Sequence, residues 1–516
     1  MANTNAPAVN THQTVLMRPT GSHERSMDGG TYFKYYNNYP IRQKIYGEDP
    51  HYVVHPRPEA ELINSINDIS SDGPLVAAYY SGEHHNIFAV NGQDVIMISS
   101  NGAVTEDVAR MSAVAYSAYF TEYKVDTTHY VVALTNDLSV NSSLRFYNPQ
   151  TGAHVSSTSL ASNGYHSAVF MDGYIFFAKI FSQRIFNTTL GTPTTANEST
   201  DFLDAETFSD TIVALAVHHN HVVAFGTRSI EFFYNAANEV GSPLQRQAAY
   251  SAQIGMYHLG FSNIEYQRPL CIGDDIYFLG GQNNTMLGLY RIRNFKIEKV
   301  SDDHFDHLLH NYQPAYIRLN PMYLYGEIVV MMSSFVPVPS LVSSFMYIPS
   351  SETFCEFGWA MNPGIALVVS STNNSHNGTV FIDNRYIEFS PAVFYFSGDY
   401  NYYDAAFTSE TFTSIWTSAY EDFGNNYTKF IKSVDVLGDF QANNVGLSIR
   451  RDDSGFDPAQ TVPIQAYKNA GTNGPNNPMR FRAIGPARIV GFNVFVNGSE
   501  KYEFRGLAVQ YNQGTY

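Results

Sequence analysis

One pattern recurs along most of this 516-residue chain: an apolar run of strand length, a turn of Asn, Asp and Gly residues, and a second apolar run. Such turns occur at NGQD (91–94), MDGY (171–174), GDD (273–275) and IDNR (382–385). Because Asn, Asp and Gly adopt positive φ at low cost, these segments are typical of β-hairpins. From about residue 75 to 390 the pattern repeats at roughly 40 to 50 residues, the period of four-stranded propeller blades. We therefore predict an all-β protein with a β-propeller of about six or seven blades.

The segments on either side of these repeats have a different character. In the N-terminal part, GTYFKYYNNYPI (30–41) has the composition of a strand or a docking arm. EAELINSINDI (59–69) has apolar residues at helical spacing, which predicts a short helix. Near the other end, the alternation in ARIVGFNVFVNG (487–498) favours the antiparallel strands of a β-sandwich. We predict three parts: an N-terminal arm and docking segment (1–74), the propeller (75–394) and a C-terminal antiparallel β-sandwich (395–516).

The composition limits the possible functions. The chain has 30 Lys and Arg against 47 Asp and Glu, a formal net charge of −17. A nucleic-acid-binding protein needs a basic face to displace the counterions of the phosphates, so this balance argues against general nucleic-acid binding. An acidic wall past which DNA slides without binding is compatible with the charge, because like charges repel. Aromatic residues make up 15% of the chain, a composition that favours β-strands.

Cysteine content and apolar spans give further limits. Cys271 and Cys355 are far apart and form no CxxC motif, so we expect both to be reduced and buried. The N-terminal segment has no basic region followed by an apolar core, so we expect no secretion signal. The nearest approach to a membrane span, LNPMYLYGEIVVMM (319–332), is interrupted by Asn, Tyr, Gly and Glu. We expect synthesis in the cytoplasm and no membrane partner.

Three histidines, His218, His219 and His221, stand close together. On an extended strand His219 and His221 would share a face, as two ligands of a metal ion must. However, HHNH ends one apolar run (TIVALAV) and begins the next (HVVAFG), which is the place of a two-residue hairpin turn. No HExxH motif accompanies the cluster. The sequence favours turn residues over metal ligands and leaves both interpretations open.

Two further segments resemble ligand sites. RRDDSGFDPAQT (450–461) resembles the Asp-box turn of sialidase-type propellers, but it occurs once, outside the repeats and without the tryptophan, which favours a structural hairpin. SDDHFDHLLH (301–310) groups Asp and His residues that could bind a cation. Its apolar residues nevertheless have helical spacing, and Ser301 is placed to cap a short helix. We predict a capped helix there, and no catalytic, metal or cofactor site in the chain.

Motifs in the middle of the chain occur in a distinctive order. GTRSIEFFYNA (226–236) is followed by LQRQAAYSAQIG (244–255), GDDIYFLGG (273–281) and LYRIRNFKIEKVSDDHFDHLL (289–309). In this order the chain resembles the phage stabilisation, or tail-nozzle, proteins of short-tailed bacteriophages. The central residues that carry the resemblance are Gly226, Ser229, Ile230, Glu231, Gly273, Asp274, Tyr290 and Arg291. Near the end of the chain it is carried by a D-D-x-G hairpin (Asp452, Asp453, Gly455) and by an R-x-R-x-x-G-x-A-R segment (Arg480, Arg482, Gly485, Ala487, Arg488).

The resemblance implies a structural protein of the virion tail. Members of this family assemble as a ring, commonly a homohexamer, below the head-to-tail connector. They close the tail, retain the packaged DNA and form the conduit for DNA ejection. The implied partners are further copies of the chain, the connector or adaptor protein, tail fibre, tailspike or needle proteins, and DNA that passes through the lumen without specific binding. The tryptophans expected near the C-terminal hairpin are missing, so that part must fill its core differently.

Two other classes of protein are compatible with a β-rich, acidic chain. The main alternative is a β-propeller glycan-binding or receptor-binding tail component, which would place Tyr or Trp platforms beside paired acids in a cleft. The other is a bacterial adhesin-like protein, which the lack of a recognised secretion signal disfavours. The chain has only two tryptophans, Trp359 and Trp416, for sugar platforms. Ring assembly, as opposed to a monomer that binds sugar, separates the three classes.

Overall fold

The computed structural model describes residues 12–19, 35–36, 38–43, 51–56, 59–65, 75–84, 86–99, 104–106, 111, 115–137, 142–160, 164–205, 210–238, 240–257, 268–282, 285–311, 317–324, 327–334, 344–357, 365–370, 378–387, 390–397, 412–418, 422–424, 427–441, 443–451, 468–469, 479–498 and 502–513. Within these ranges the secondary structure is almost entirely strand, with one α-helix, α1 (Asp303–Asn311), and one short 3-10 helix (Ala248–Tyr250). The prediction of an all-β protein is confirmed.

The strands are numbered in chain order. The first five are β1 (His12–Met17), β2 (Tyr35–Tyr36), β3 (Asn38–Gln43), β4 (His51–Pro56) and β5 (Glu59–Ser65). The next nine are β6 (Leu75–Ser81), β7 (Asn86–Asn91), β8 (Asp94–Ile98), β9 (Val104–Glu106), β10 (Ala115–Val125), β11 (Thr128–Asp137), β12 (Ser142–Tyr147), β13 (His154–Ser159) and β14 (Tyr165–Met171). They are followed by β15 (Tyr174–Lys179), β16 (Arg184–Thr189), β17 (Thr192–Ala196), β18 (Phe202–Asp204), β19 (Ile212–His218), β20 (His221–Gly226), β21 (Ile230–Asn235) and β22 (Leu244–Arg246).

The remaining strands run from the middle of the chain to its end. They are β23 (Gly255–Met256), β24 (Leu270–Ile272), β25 (Asp275–Gln282), β26 (Thr285–Arg293), β27 (Lys296–Lys299), β28 (Ile317–Leu324), β29 (Glu327–Ser334), β30 (Ser344–Ile348), β31 (Thr353–Phe357), β32 (Ile365–Ser370), β33 (Gly378–Ile387), β34 (Ser390–Ser397), β35 (Phe412–Thr417), β36 (Lys429–Asp439), β37 (Asn444–Arg451), β38 (Lys468–Asn469), β39 (Met479–Ala487), β40 (Val490–Gly498) and β41 (Glu503–Gln513).

The chain forms two compact units. The larger contains residues 61–344 and 359–396, and the smaller contains residues 1–60, 345–358 and 397–516. The three-part division of the sequence proposed above stays a prediction.

The larger unit contains five successive antiparallel sheets with the strand order of propeller blades. Blade 1 has the order β6-β7-β8-β9, blade 2 β10-β11-β12-β13, and blade 4 β19-β20-β21-β22. Blade 3 has the order β14-β15-β16-β17, with β18 also paired to β16, and blade 5 the order β23-β25-β26-β27, with β24 also paired to β25. The prediction of a β-propeller is confirmed, whereas the count of six or seven blades stays a prediction.

Most of the predicted turns close hairpins within these blades. Gly92 (φ 60°), Gly173 (φ 84°) and Gly273 (φ 56°) all have the positive φ that such turns require. The turn predicted at 382–385 is wrong, because these residues lie inside β33. The strand continues to Ile387, which pairs with Ser390, so the hairpin closes five residues later than the Asp-Asn pair indicated.

The hydrophobic core lies between successive blades. Between blades 4 and 5, fully buried Val213, Phe225 and Phe232 pack with Phe278 and Ile292. Because each blade is covered by a neighbour on both faces, its central strands are continuous apolar runs and do not alternate with polar residues. The run IVALAV in β19 shows this pattern, because its first five residues are all buried.

The helix predicted at EAELINSINDI (59–69) is wrong where the structure describes it. Residues Glu59–Ser65 form strand β5, which lies at the edge of a sheet with the order β32-β33-β34-β5. A segment this short is not a stable helix on its own. Pairing with β34, which lies far along the chain, instead gives hydrogen-bond partners to the backbone groups on one side of this strand. Residues 66–69 lie outside the described residues.

The smaller unit contains strands from both ends of the chain. One sheet has the order β3-β4-β41-β36-β39, with β1 also paired to β41. A second group of strands has the order β31-β2-β35-β40-β37-β38. In the aromatic segment 30–41, Tyr35 is fully buried and pairs with Trp416 of β35, which confirms the strand interpretation for its described residues.

Both cysteines are free, but only Cys355 is buried. Cys271 is exposed, so the expectation of burial was wrong for this residue. It lies between Leu270 and Ile272 on β24, and successive strand residues point to opposite faces, so the buried side of this strand belongs to Leu270. Within the part of the chain that the structure describes, no helix has the length and apolar character needed to cross a membrane.

Candidate functional site

The segment GTRSIE forms a tight loop between β20 and β21 of blade 4, and this loop encloses the carboxylate of Asp210. Oδ2 of Asp210 accepts hydrogen bonds from the backbone N–H of Arg228 at 2.7 Å and of Ser229 at 3.0 Å. The Ser229 hydroxyl donates to Oδ1 at 3.1 Å. Burial raises the pKa of Asp210, and the hydrogen bonds act in the opposite direction. The carboxylate therefore satisfies the donors of the loop and fixes its shape.

Two glycines let neighbouring groups approach this loop closely. A Cβ atom on Gly226 would lie 2.3 Å from Oδ2 of Asp210. A Cβ atom on Gly255, the first residue of β23 in blade 5, would lie 2.1 Å from the backbone oxygen of Thr227. Only glycine fits at such distances. Since Gly255 begins blade 5 and Thr227 belongs to blade 4, the loop is a backbone contact between two blades.

Replacing Gly255 with alanine is expected to destabilise the protein by about 2 to 3 kcal/mol. The added methyl group would collide with backbone atoms of Thr227, which cannot rotate away as a side chain could. Gly82→Ala is the matched control, because a Cβ atom there meets nothing within 4 Å. Chemical denaturation of the two purified variants measures the difference. Equal midpoints for both variants would contradict the close contact.

Glu231 is a buried acid within blade 4. Its side chain is 2% exposed, and Oε2 lies 2.7 Å from Nε of Arg246. Glu231 belongs to the third strand of the blade and Arg246 to the fourth, so the ion pair joins two neighbouring strands. A buried carboxylate has lost much of its hydration, and the guanidinium group compensates its charge.

The three histidines lie at the turn of the first hairpin in blade 4. His218 pairs with His221 across the hairpin, and His219 and Asn220 between them have φ values of 43° and 57°. Nε2 of His218 accepts a hydrogen bond from the backbone N–H of Phe295 in blade 5 at 3.2 Å. Burial lowers the pKa of His218, which favours the neutral ring that can accept this bond. The turn interpretation is confirmed, and the histidines pack against blade 5.

The residues of blade 5 that carry the family resemblance lie in the turn before β25 and on β26. Gly273 and Asp274 form the turn that joins β24 to β25. Tyr290 and Arg291 lie on β26, and each is 7% exposed. Nη2 of Arg291 lies 2.9 Å from Oε2 of Glu298 on β27. The motif therefore supplies a turn and an ion pair between adjacent strands, which are structural roles.

The predicted helix at 301–310 is confirmed as α1, but its cap differs from the prediction. Oδ1 of Asp302, not the hydroxyl of Ser301, accepts a hydrogen bond from the N–H of Phe305 at 2.8 Å. Ser301 is held elsewhere, because its Oγ accepts from the N–H of Leu289 at 2.9 Å and donates to Asp306 at 2.5 Å. These contacts connect the start of the helix to blade 5.

The C-terminal motif residues are only partly visible. Asp452, Asp453 and Gly455 lie outside the described residues, as does most of the Asp-box-like segment. Arg488 is exposed, and its backbone oxygen accepts a hydrogen bond from Nζ of Lys429 at 2.9 Å. The structural role assigned to the motif residues in the middle and near the end of the chain stays a prediction, and the residues that line a channel stay unassigned.

Sequence reasoning singled out the loop at 226–231 but missed the two residues that complete it. Asp210 stands just ahead of the apolar run that becomes β19, and Arg246 lies in the segment LQRQ after the loop. A single acid before a strand or a single arginine after one carries no recognisable spacing. The available signal was Glu231 itself, an acid within an otherwise apolar strand, which requires a cation from a neighbouring strand.

Comparison with known proteins gives one matching family and solved structures of low sequence identity. A family model described as bacteriophage P22 Gp10, beta-propeller, matches residues 64–326. No curated protein matches the chain significantly. The chain is similar to the β-propeller domain of Cps50 (Swd1) from Myceliophteria thermophila, with 9% identity, a TM-score of 0.43, and coverage of 65% of this chain and 99% of that one. For BamB from Moraxella catarrhalis the identity is 12% and the TM-score 0.38, with coverage of 66% and 98%.

The matched segment covers half of the chain and includes all five blades between Leu75 and Lys299. It also includes the segment 226–231, the turn at Gly273 and the strand with Tyr290 and Arg291, so the resemblance inferred from these residues is confirmed over this region. The chain belongs to the phage stabilisation family of bacteriophage P22 Gp10, a family of structural, non-enzymatic components of the phage tail.

Proposed function

We propose that the chain forms a ring-shaped tail nozzle, a homohexamer located below the head-to-tail connector of a short-tailed phage. In this position it closes the tail, retains the packaged DNA and forms the conduit for DNA ejection. The observation that carries the proposal is the family membership, which is that of a tail component. The net charge of −17 supports it, because DNA must pass such a wall without adhering to it.

The arrangement of basic residues also supports the proposal. Several described arginines are paired with acids on a neighbouring strand, which compensates their positive charge. These pairs are Arg184–Asp204 at 3.0 Å, Arg246–Glu231 at 2.7 Å, Arg291–Glu298 at 2.9 Å and Arg480–Asp435 at 2.6 Å. Basic side chains engaged in this way hold strands together and offer little free positive charge to phosphates.

For the architecture we propose seven blades and a C-terminal β-sandwich. Two more blades would be built from the hairpin β28–β29 and from the sheet that β5 joins. The sandwich would be formed by the two groups of strands in the smaller unit. Trp416 of one group and Phe504 of the other support this, since their ring centroids are 4.9 Å apart. A cryo-electron microscopy map of the chain in a tail would test both the number of blades and the C-terminal sandwich directly.

The proposed partners follow from the position in the tail. They are other copies of the same chain, the connector or adaptor protein above, and tail fibre, tailspike or needle proteins around or below. DNA is a transient partner that passes through the lumen without specific binding. The location is the virion, after synthesis in the host cytoplasm, and no membrane partner is proposed.

Oligomeric state is the property that tests the nozzle proposal. We expect native mass spectrometry of the purified full-length chain, alone or with the connector protein, to show a ring of about six copies with a central opening in electron micrographs. We also expect no saturable binding of labelled duplex DNA to the assembled ring, because of its negative charge. A chain that stays monomeric with and without the connector would contradict the nozzle. In that case glycan-array binding would support the receptor-binding alternative.

A further inference from the structure

A second cluster of titratable side chains lies away from the family motif, where blade 1 meets blade 2. Glu83 and His84 belong to the turn between β6 and β7, and His129 lies at the start of β11. One ligand atom from each of these three residues lies within 4.8 Å of the other two. The sequence did not reveal this cluster, because His129 is separated from the other two residues by most of a blade.

The ring of His129 is held between two carboxylates. Its Nδ1 lies 3.7 Å from Oε2 of Glu83, and its Nε2 lies 3.7 Å from Oε2 of Glu122 on β10. The ring of His84 is 5.5 Å from that of His129, measured between centroids. Nε2 of His129 and Oε1 of Glu122 are both buried and, among the described residues, make no hydrogen bond. At metal sites a histidine binds the ion through one ring nitrogen and directs the other toward a carboxylate. His129 has this arrangement, with Nδ1 on the side of Glu83 and Nε2 on the side of Glu122.

We propose that Glu83, His84 and His129 bind a divalent transition-metal ion of the zinc class, and that Glu122 positions the ring of His129. Two imidazoles and one carboxylate form a ligand set that suits zinc, with water in the fourth position. Metal–ligand bonds of about 2.0 to 2.2 Å place the ligand atoms about 3.3 Å apart. The separations therefore have to shorten by at most roughly 1.5 Å, because 4.8 Å is their upper limit and Oε2 of Glu83 already lies 3.7 Å from Nδ1 of His129.

Lys124 is the competing group at this site. Its ammonium contacts Oε2 of Glu83 directly, so a metal ion and Lys124 would compete for the same carboxylate oxygen. The Lys124 side chain is 54% exposed, so it can move into solvent when an ion replaces it. A metal ion here would connect the turn of blade 1 to the first hairpin of blade 2.

Titration of the full-length, chelator-treated chain with Co²⁺ and Zn²⁺ tests the proposal. We expect one ion per chain at this site, with the visible absorption of Co²⁺ bound to nitrogen and oxygen ligands and displacement by Zn²⁺. His84→Gln and His129→Gln should each weaken binding by about tenfold or more, and Glu122→Gln by about 10- to 100-fold. Lys124→Gln should strengthen it, because the competing cation is gone. His221→Gln, at the corresponding turn of blade 4, is the matched control and should bind as the unaltered chain does.

The proposal is overturned if the unaltered chain binds no Co²⁺ or Zn²⁺, or if His84→Gln and His129→Gln bind as tightly as it does. The second result would place the ions on other histidines. Should the histidine variants fail to fold, Lys124→Gln decides the question, because it changes only an exposed side chain. Unchanged affinity in that variant would overturn the proposal, and tighter binding would support it.

Discussion

Replacing Arg246 with methionine is expected to destabilise the folded chain by about 3 to 5 kcal/mol at neutral pH. The substitution keeps much of the side-chain volume but removes the cation that lies 2.7 Å from Oε2 of Glu231. Because the Glu231 side chain is only 2% exposed, water cannot replace the lost guanidinium without opening the blade. Denaturant unfolding of the purified variant measures this loss.

Two comparisons identify the buried charge as the cause. The double variant Glu231→Gln, Arg246→Met should recover most of the lost stability, since it removes the charge together with its partner. Arg505→Met is the matched control: its partner Glu503 is 3.0 Å away, but the pair is exposed, so a loss of about 1 kcal/mol or less is expected. If the double variant is as unstable as Arg246→Met, the loss comes from packing of the arginine stem and not from the charge.

The second large effect is a loss of stability in acid that depends on His166. This residue lies on β14 and is fully buried, and burial lowers its pKa from 6.5 to about 4. The unfolded chain therefore binds a proton at this residue at a higher pH than the folded chain does. The contribution of the neutral His166 ring to the free energy of unfolding is present above about pH 6.5 and is lost as pH falls toward 4. The total loss is about 3 kcal/mol.

Measuring the unfolding free energy of the unaltered chain and of His166→Gln at several pH values between 7 and 4 tests this prediction. The variant carries no titrating ring, so its stability should fall less steeply, by up to about 1.4 kcal/mol per pH unit. Burial also lowers the pKa of His218, which acts in the same direction, so part of the slope should remain. Parallel curves for the two proteins would mean that the folded and unfolded chains bind protons equally at His166.

The parts of the fold that could be predicted are those with a local cause. The hairpin at 171–174 follows from an Asp-Gly pair between two apolar runs, and α1 follows from apolar spacing behind a cluster of acids. The parts that could not be predicted depend on distant strands. Segment 59–65 has the spacing of a helix, but β34 offers it a sheet edge, and the sequence holds no sign of that pairing.

The same distinction applies to the candidate sites. The loop at 226–231 was recognisable because Gly, Ser, Ile and Glu occur there in the order of a known family. Asp210, which fills that loop, and Arg246, which neutralises Glu231, have no local pattern of their own. The cluster of Glu83, His84 and His129 likewise exists only because blades 1 and 2 lie side by side. Contacts between blades come from the packing of successive sheets, which the spacing of residues along one strand does not encode.

Strand β5 has a consequence for the order of events during synthesis. Its partner β34 lies about 300 residues further along the chain, so the ribosome completes five blades before that partner exists. Until then the early strand has no place in its sheet, and closing so long a loop carries an entropic cost that nearer pairings avoid. The nascent chain must therefore keep this segment available, and pairing of β5 with β34 is a late step of maturation. Premature termination before residue 390 would leave five well-packed blades beside a sheet that cannot be completed.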